Sequence, residues 1–167
     1  FTLVAAMNPC PCGFFGDNRN SCNCTERDIR RYSGRISGPL LDRIDLHLDV
    51  SALDFVEMSS SPVGESSATI KSRVDNTRAL QAKRFAGEPP IHCNSQMTTK
   101  LVENYCALDQ NSSKLLEKSV TRLGLSMRSY NRILKMARTI ADMDTSPSIG
   151  QAHIAEAIQF CRNIYQS

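Results

Sequence analysis

Four cysteines fall within fifteen positions, Cys10, Cys12, Cys22 and Cys24, in the spacing C-x-C-x9-C-x-C. Apart from Phe14 and Phe15 the loop offers little apolar cover, so burial alone does not account for its thiols. Pro9, Pro11, Gly13 and Gly16 punctuate it, and the polar, turn-rich stretch FFGDNRNS lets one cysteine pair fold back on the other. Two short thiol knuckles joined by a turn are the usual way to build a four-thiolate zinc site. Such a site is structural, because four protein ligands leave no open position for a substrate. Two other readings stay open: reduced cysteines in an ordinary loop, and a redox pair, although C-x-C is not the thioredoxin spacing. Zinc is the favoured reading, even though these knuckles are tighter than the common C-x-x-C.

The remaining cysteines, Cys93, Cys106 and Cys161, are scattered. An odd total of seven without an export signal argues against a secreted disulfide scaffold and for a reducing, cytoplasmic setting. No apolar run is long enough to cross a bilayer, so no membrane partner is expected. The chain starts at Phe1, not at a methionine, inside an apolar run, which reads as a cut from a longer protein. A length of 167 residues allows one ordinary domain or two small ones, and a formal charge of +3 is too small by itself to imply nucleic acid.

Two parts are expected. Residues 1–56 mix strands with loops: Thr2–Met7 reads as a covered strand, and Ile44, Leu46, Leu48 and Val50 alternate with Asp45, His47 and Asp49 as a half-buried one. Residues 57–66 (EMSSSPVGES) read as a linker. Residues 67–167 read as five helices. Ser67 is expected to cap the first, which runs to about Phe85 before Gly87-Glu88-Pro89-Pro90. A short helix follows over about Gln96–Cys106. Asp109 caps a third that ends at Gly124, and Ser126 caps a fourth that ends near Met143. Ser148 with Gln151 suggests a capping box for the last, whose stripe is Ile154, Ala157, Ile158, Cys161, Ile164 and Tyr165. The fold class is therefore mixed α/β and mostly helical.

Three polar positions stand out, each with an ordinary explanation beside a functional one. Asn8 ends the first apolar run, where α/β sheets bind ligands, but it also suits the turn before Pro9. Arg43, in SGPLLDRID, has the planar fork that grips phosphate oxygens, but a surface salt bridge to Asp42 or Asp45 is as good an account. Arg128, Arg132 and Lys135 share one arc of the fourth helix, commonly a solvated face. Arg128 lies in the first turn, where a cation is slightly unfavourable and an anion is welcome. His47, His92 and His153 form no pattern and are read as ordinary surface residues.

Taken in order, NPCPCG, SGPLLDRIDLH, GESSA, CALD, RLGLS, ARTIAD and HIAEAIQF resemble the magnesium-chelatase-like AAA+ ATPase family, in its ComM-type competence branch, over nearly the whole chain. The resemblance implies the truncated end of a AAA+ α/β core carrying the four-cysteine loop, then a small all-α helical lid. It implies Asn8 as the sensor 1 residue and Arg43 as the arginine finger acting on a neighbouring subunit, with Arg35 a weaker candidate. It implies Arg128 as sensor 2, with Arg132 beside it toward the nucleotide. ATP and Mg2+ would be cofactors of the parent protein and a ring of six subunits its assembly. The chain has no G-x-x-x-x-G-K-[ST] loop and no apolar strand ending in paired acids, so it is not expected to hydrolyse ATP alone.

Three functions are compatible with this reading: a DNA motor driving branch migration of incoming DNA, the ATPase subunit of a magnesium chelatase, and a zinc-stabilised module that binds DNA or protein without catalysis. In the third, Arg27, Arg30, Arg31 and Arg35 would meet phosphates, although acidic residues interleave with them.

Overall fold

The computed structural model describes residues 2–50 and 64–161. Residues 2–44 and 48–50 fall into one compact unit, and residues 45–47 and 64–161 into another. The expected linker lies mostly outside the described residues, as do Ile164 and Tyr165.

Among its described residues the first unit is loop with two helices. Helix α1 (Glu26–Ser33) begins with a capping box: the Thr25 hydroxyl accepts from the Asp28 amide at 3.2 Å, and the Asp28 carboxylate accepts from the Thr25 amide at 3.3 Å. Helix α2 (Gly38–Leu41) is one turn, started by Pro39, whose fixed φ suits a first turn. Among the described residues of this unit only Cys10 and Leu41 are buried.

The strand expectation fails locally. Residues 2–7 and 44–50 carry no ladder, and Val4 and Val50 are 90% and 87% exposed. A strand exists through hydrogen bonds to neighbours. Among the described residues the only bridge is the isolated parallel pair Leu108 and Ile149. Asp45–His47 attaches to a helix instead: the His47 amide donates to the Phe160 carbonyl at 2.8 Å, and the Cys161 thiol donates to the Asp45 carbonyl at 3.8 Å. The expected mostly helical character stands.

The second unit is a helical bundle: α3 (Ser67–Arg84), a 3-10 turn (Asn94–Gln96), α4 (Thr99–Tyr105), α5 (Gln110–Leu123), α6 (Met127–Met143) and α7 (Gln151–Cys161). The caps are local. Asp109 and Ser126 accept from the amides of Ser112 and Ser129, as expected. Gly124 takes φ +59, and the amides of Gly124 and Leu125 return to the carbonyls of Thr121 and Val120, closing α5 in a Schellman motif. Ser66, not Ser67, caps α3, because Ser67 is already its first helical residue. The expected second helix splits into the 3-10 turn and α4, which Thr98 caps. Ser148 does not cap α7. Its carbonyl accepts from the Ser146 hydroxyl, while His153 Nδ1 accepts from the Gly150 amide at 2.9 Å and covers the start of the helix.

Helix α6 is the centre of the bundle and packs most heavily on α7. Ala137, Ala141 and Ala157 are fully buried and keep side chains out of the way where the helices meet, while Ile133, Ile154 and Leu116 fill the interior. Helix α3 is exposed apart from Thr77, Gln81 and the half-buried Arg84. Among the described residues, no helix is long and apolar enough to cross a membrane.

Candidate metal centre and the residues around it

The four cysteine sulphurs converge. Their Sγ atoms all lie within 4.8 Å of one another, with Cys10–Cys12 at 3.3 Å, Cys12–Cys22 at 3.6 Å and Cys10–Cys22 at 3.7 Å. These distances are far beyond an S–S bond of about 2.05 Å. They are close to the edge of a tetrahedron of sulphurs around zinc, roughly 3.8 Å for a Zn–S bond of about 2.3 Å. The donor set therefore fits zinc.

The backbone is arranged for thiolates. Amides of Phe14 and Asn23 donate to the Cys12 sulphur, that of Phe15 to Cys10, that of Cys24 to Cys22, and that of Cys12 to Cys24. The Phe14 amide, followed by that of Asn23, brings the Cys12 thiol down to about 6. Burial and the contact with Cys12 push Cys10 up, yet the Phe15 amide and the other sulphurs leave it below its ordinary value. The amide of Cys12 lowers Cys24, but burial and the neighbouring sulphurs outweigh it and raise the thiol to about 12. Cys22 is raised in the same way, against the Cys24 amide. Two sulphurs favour the thiolate and two resist joining them, since four negative charges repel at this distance. A divalent cation relieves that conflict, and zinc takes thiolates in preference to thiols.

Asn8 belongs to the same structure. Gly13 turns the chain at φ +86, with its amide on the Cys10 carbonyl at 3.1 Å, and the Asn8 side-chain nitrogen would lie 3.7 Å from a Cβ placed there. Asn8 thus rests on the bare face of a glycine inside the cysteine loop. Arg43 follows α2, exposed, and its Nη1 donates to the Pro39 carbonyl at 2.5 Å. The carbonyl holds one terminal nitrogen of an otherwise exposed side chain. Arg35 lies beyond the end of α1 and is exposed.

Arg128 and Arg132 belong to the other unit, on α6. Arg128 is exposed in the first turn. Arg132 is half-buried and hydrogen-bonds the Cys161 sulphur of α7, opposing the burial that raises that thiol. Lys135 donates to the Ser95 carbonyl at 3.0 Å. The apparent basic stripe is thus divided, with Arg132 and Lys135 engaged in packing the bundle and Arg128 turned outward.

The strongest polar cluster of the bundle escaped the sequence reading. Asp142, with 2% of its side chain exposed, accepts both guanidinium nitrogens of Arg84, Asn94 Nδ2 at 2.8 Å and Arg138 Nε at 3.1 Å. Arg138 also donates to the carbonyls of Ser146 and Pro147. Burial alone would raise the Asp142 carboxyl, but the bonds from Arg84 and Asn94 hold it below the usual range. Arg138 and Asp142 were visible at i,i+4 in ARTIAD; Arg84 and Asn94 carried no signal. His153, read as an ordinary surface residue, is largely buried and also meets Asp144 at 3.2 Å.

The family model for the C-terminal part of the magnesium chelatase subunit ChlI matches residues 64–161, and the model for subunit ChlI matches residues 1–58. The chain is 41% identical over 161 residues to YifB of Escherichia coli K12, and 40% identical over 161 residues to the competence protein ComM of Haemophilus influenzae. It is 32% identical over 160 residues to Rv2897c of Mycobacterium tuberculosis. Each alignment covers 96% of this chain but only 30% or 31% of the relative, so the chain spans just under a third of these proteins. By the extent of these matches, the chain belongs to the magnesium chelatase ChlI family.

Proposed function

We propose that the chain is the C-terminal part of a ComM-type AAA+ ATPase, a cytoplasmic hexameric ring that couples ATP hydrolysis to DNA branch migration during recombination of incoming DNA. The observation that carries this reading is the 40% identity to ComM along 96% of the chain. Residues 1–56 are the end of the α/β core, 57–66 a linker and 67–167 the lid.

In this reading Asn8 orients the water that attacks the terminal phosphate, and its seat against Gly13 holds the amide steady. Arg43 reaches the nucleotide of a neighbouring subunit and stabilises charge on the transferred phosphoryl group, an effect worth about 10³–10⁵ in rate. Its bond to Pro39 reduces the side-chain freedom lost on reaching a phosphate. Arg128 meets the phosphates from the lid, with Arg132 behind it. Cys10, Cys12, Cys22 and Cys24 hold a structural zinc that supplies the fixed centre this unit lacks. ATP and Mg2+ bind chiefly to parts of the protein outside these residues.

ATP turnover by the full-length protein, with and without branched DNA, tests the proposal together with its Arg43→Ala variant. Turnover should rise with branched DNA and fall at least 10³-fold in the variant. Turnover indifferent to DNA would favour a chelatase subunit, a reading that the ChlI family models themselves support.

A further inference from the structure

Arg27, Arg30 and Arg31 of α1 have no place in the phosphate-transfer scheme, and Arg35 entered it only as the weaker finger candidate. At 100° per residue, Arg27, Arg30, Arg31 and Arg35 fall on one side of the helix, and all four are exposed. Gly34 keeps a right-handed φ of −68, so the helical path continues toward Arg35. Asp28, Ile29, Tyr32 and Ser33 on the other side are half-buried, so that side faces its own unit. Glu26 and Asp28 flank the arginine face and approach Arg30 and Arg31 at 3.7 and 3.8 Å. Those pairs are open to water, with the two arginine side chains 77% and 78% exposed, so exchanging them for phosphate costs little.

A second feature springs from the same four sulphurs. Between the cysteine pairs, Gly13 at φ +86 and Gly16 at φ +81 bracket Phe14 and Phe15, which are 40% and 52% exposed. The tip is not loose. The Asp17 amide returns to the Phe14 carbonyl at 3.1 Å, and the Asp17 carboxylate accepts from the Arg19 amide at 2.8 Å and from Asn20 Nδ2 at 2.9 Å. Two aromatic rings are therefore held in solvent on a braced turn. Cys24 and the capping residue Thr25 lead directly into the arginine helix, so both features are anchored to one centre.

We propose that this metal-anchored module is a contact surface for single-stranded DNA, with the arginine face of α1 on the phosphates and Phe14 and Phe15 stacked on unpaired bases. Arginines without aromatics would suit any acidic partner, and aromatics without arginines any apolar one. The combination matches a strand that carries one charge and one flat base per nucleotide, and a duplex keeps its bases stacked away from the rings. The proposal rests on the motor reading only for the presence of DNA.

The test is anisotropy of labelled oligo-dT of thirty or so nucleotides with the full-length protein, without nucleotide, over a range of salt. Arg27, Arg30, Arg31 and Arg35 are changed together to alanine and, separately, to lysine, and Phe14 and Phe15 together to alanine. The alanine set should flatten the log–log salt slope by about 0.7 per lost phosphate contact, and the lysine set should restore it. Loss of the two rings should weaken binding about tenfold or more with the slope unchanged. Zinc content checks that each variant keeps its centre. Should the alanine set lose zinc, the lysine set and the phenylalanine variant decide. Wild-type affinity and slope in zinc-replete variants would overturn the proposal, as would equally tight binding of duplex DNA or equal competition by polyglutamate. ATP turnover in the same proteins separates the two readings. Absent turnover with intact, arginine-dependent binding sinks the motor alone, and DNA-stimulated turnover with unaltered binding sinks the surface alone.

Discussion

The two units reach order by opposite means. The helical unit buries a continuous cluster from Phe85 to Cys161, with Ile133, Ala137, Ala141, Ile154 and Ala157 wholly inside. The cysteine unit buries only Cys10 and Leu41 among its described residues, and leaves Phe14 and Phe15 in solvent. Apolar burial at about 25 cal/mol per Å² can sustain the first and has little to act on in the second. A region that presents Phe14 and Phe15 to solvent cannot also fold around them. Four sulphurs on a metal would supply rigidity in a volume too small for a core, since structural zinc contributes roughly 10–16 kcal/mol of apparent binding energy in small domains.

The sharpest way to break this comparison is to remove the metal. Chelation, or Cys10→Ser, should abolish zinc binding, taken as one ion per chain by elemental analysis, and disorder residues 2–44 by amide exchange. Exchange in α6 and α7 should be unchanged; a bundle that melts with the metal would refute the division. The metal should also be acid-labile. With Cys24 at about 12 and Cys22 raised, zinc binding near neutral pH displaces protons from these thiols, so affinity should fall as pH drops from 8 toward 6. A zinc titration that ignores pH in this range would rule out the thiolate account.

Next in size is Asp142→Ala. It leaves Arg84 and Arg138 without their buried counter-charge and should cost about 3–5 kcal/mol in denaturant unfolding of the helical unit, with zinc retained. The sign of its pH dependence follows from the lowered carboxyl. Asp142 contributes fully above its unfolded value of about 3.9 and loses that contribution as pH falls through the lower folded value. Acid unfolding of the variant should accordingly lose this component. Leu116→Ala, in the middle of the core, should cost about 2–5 kcal/mol and likewise spare the metal. The smallest effect sharpens a boundary: Ser66→Ala should cost about 1 kcal/mol through its lost cap, and Ser67→Ala close to nothing.

Sequence by itself determined much of what acts within a turn or two of chain, although it misplaced the caps of α3 and α7. Asp109, Ser126 and Gly124 announce their helix ends because a cap needs only its own neighbours. The cysteine cluster was legible because its ligands lie within fifteen positions, and the family because its motifs are contiguous. Tertiary structure decided the rest. The Asp142 network joins residues 48 and 58 positions apart, which no local period can encode. Arg128, Arg132 and Lys135 looked alike on a helical wheel, and only the neighbours of α6 told them apart, with Cys161 and the Ser95 carbonyl taking two of the three. The alternation at Ile44–Val50 is a genuine strand pattern, yet a strand is a relation between segments. A pattern fixes which side chains would face inward, and only a hydrogen-bonding neighbour makes the sheet.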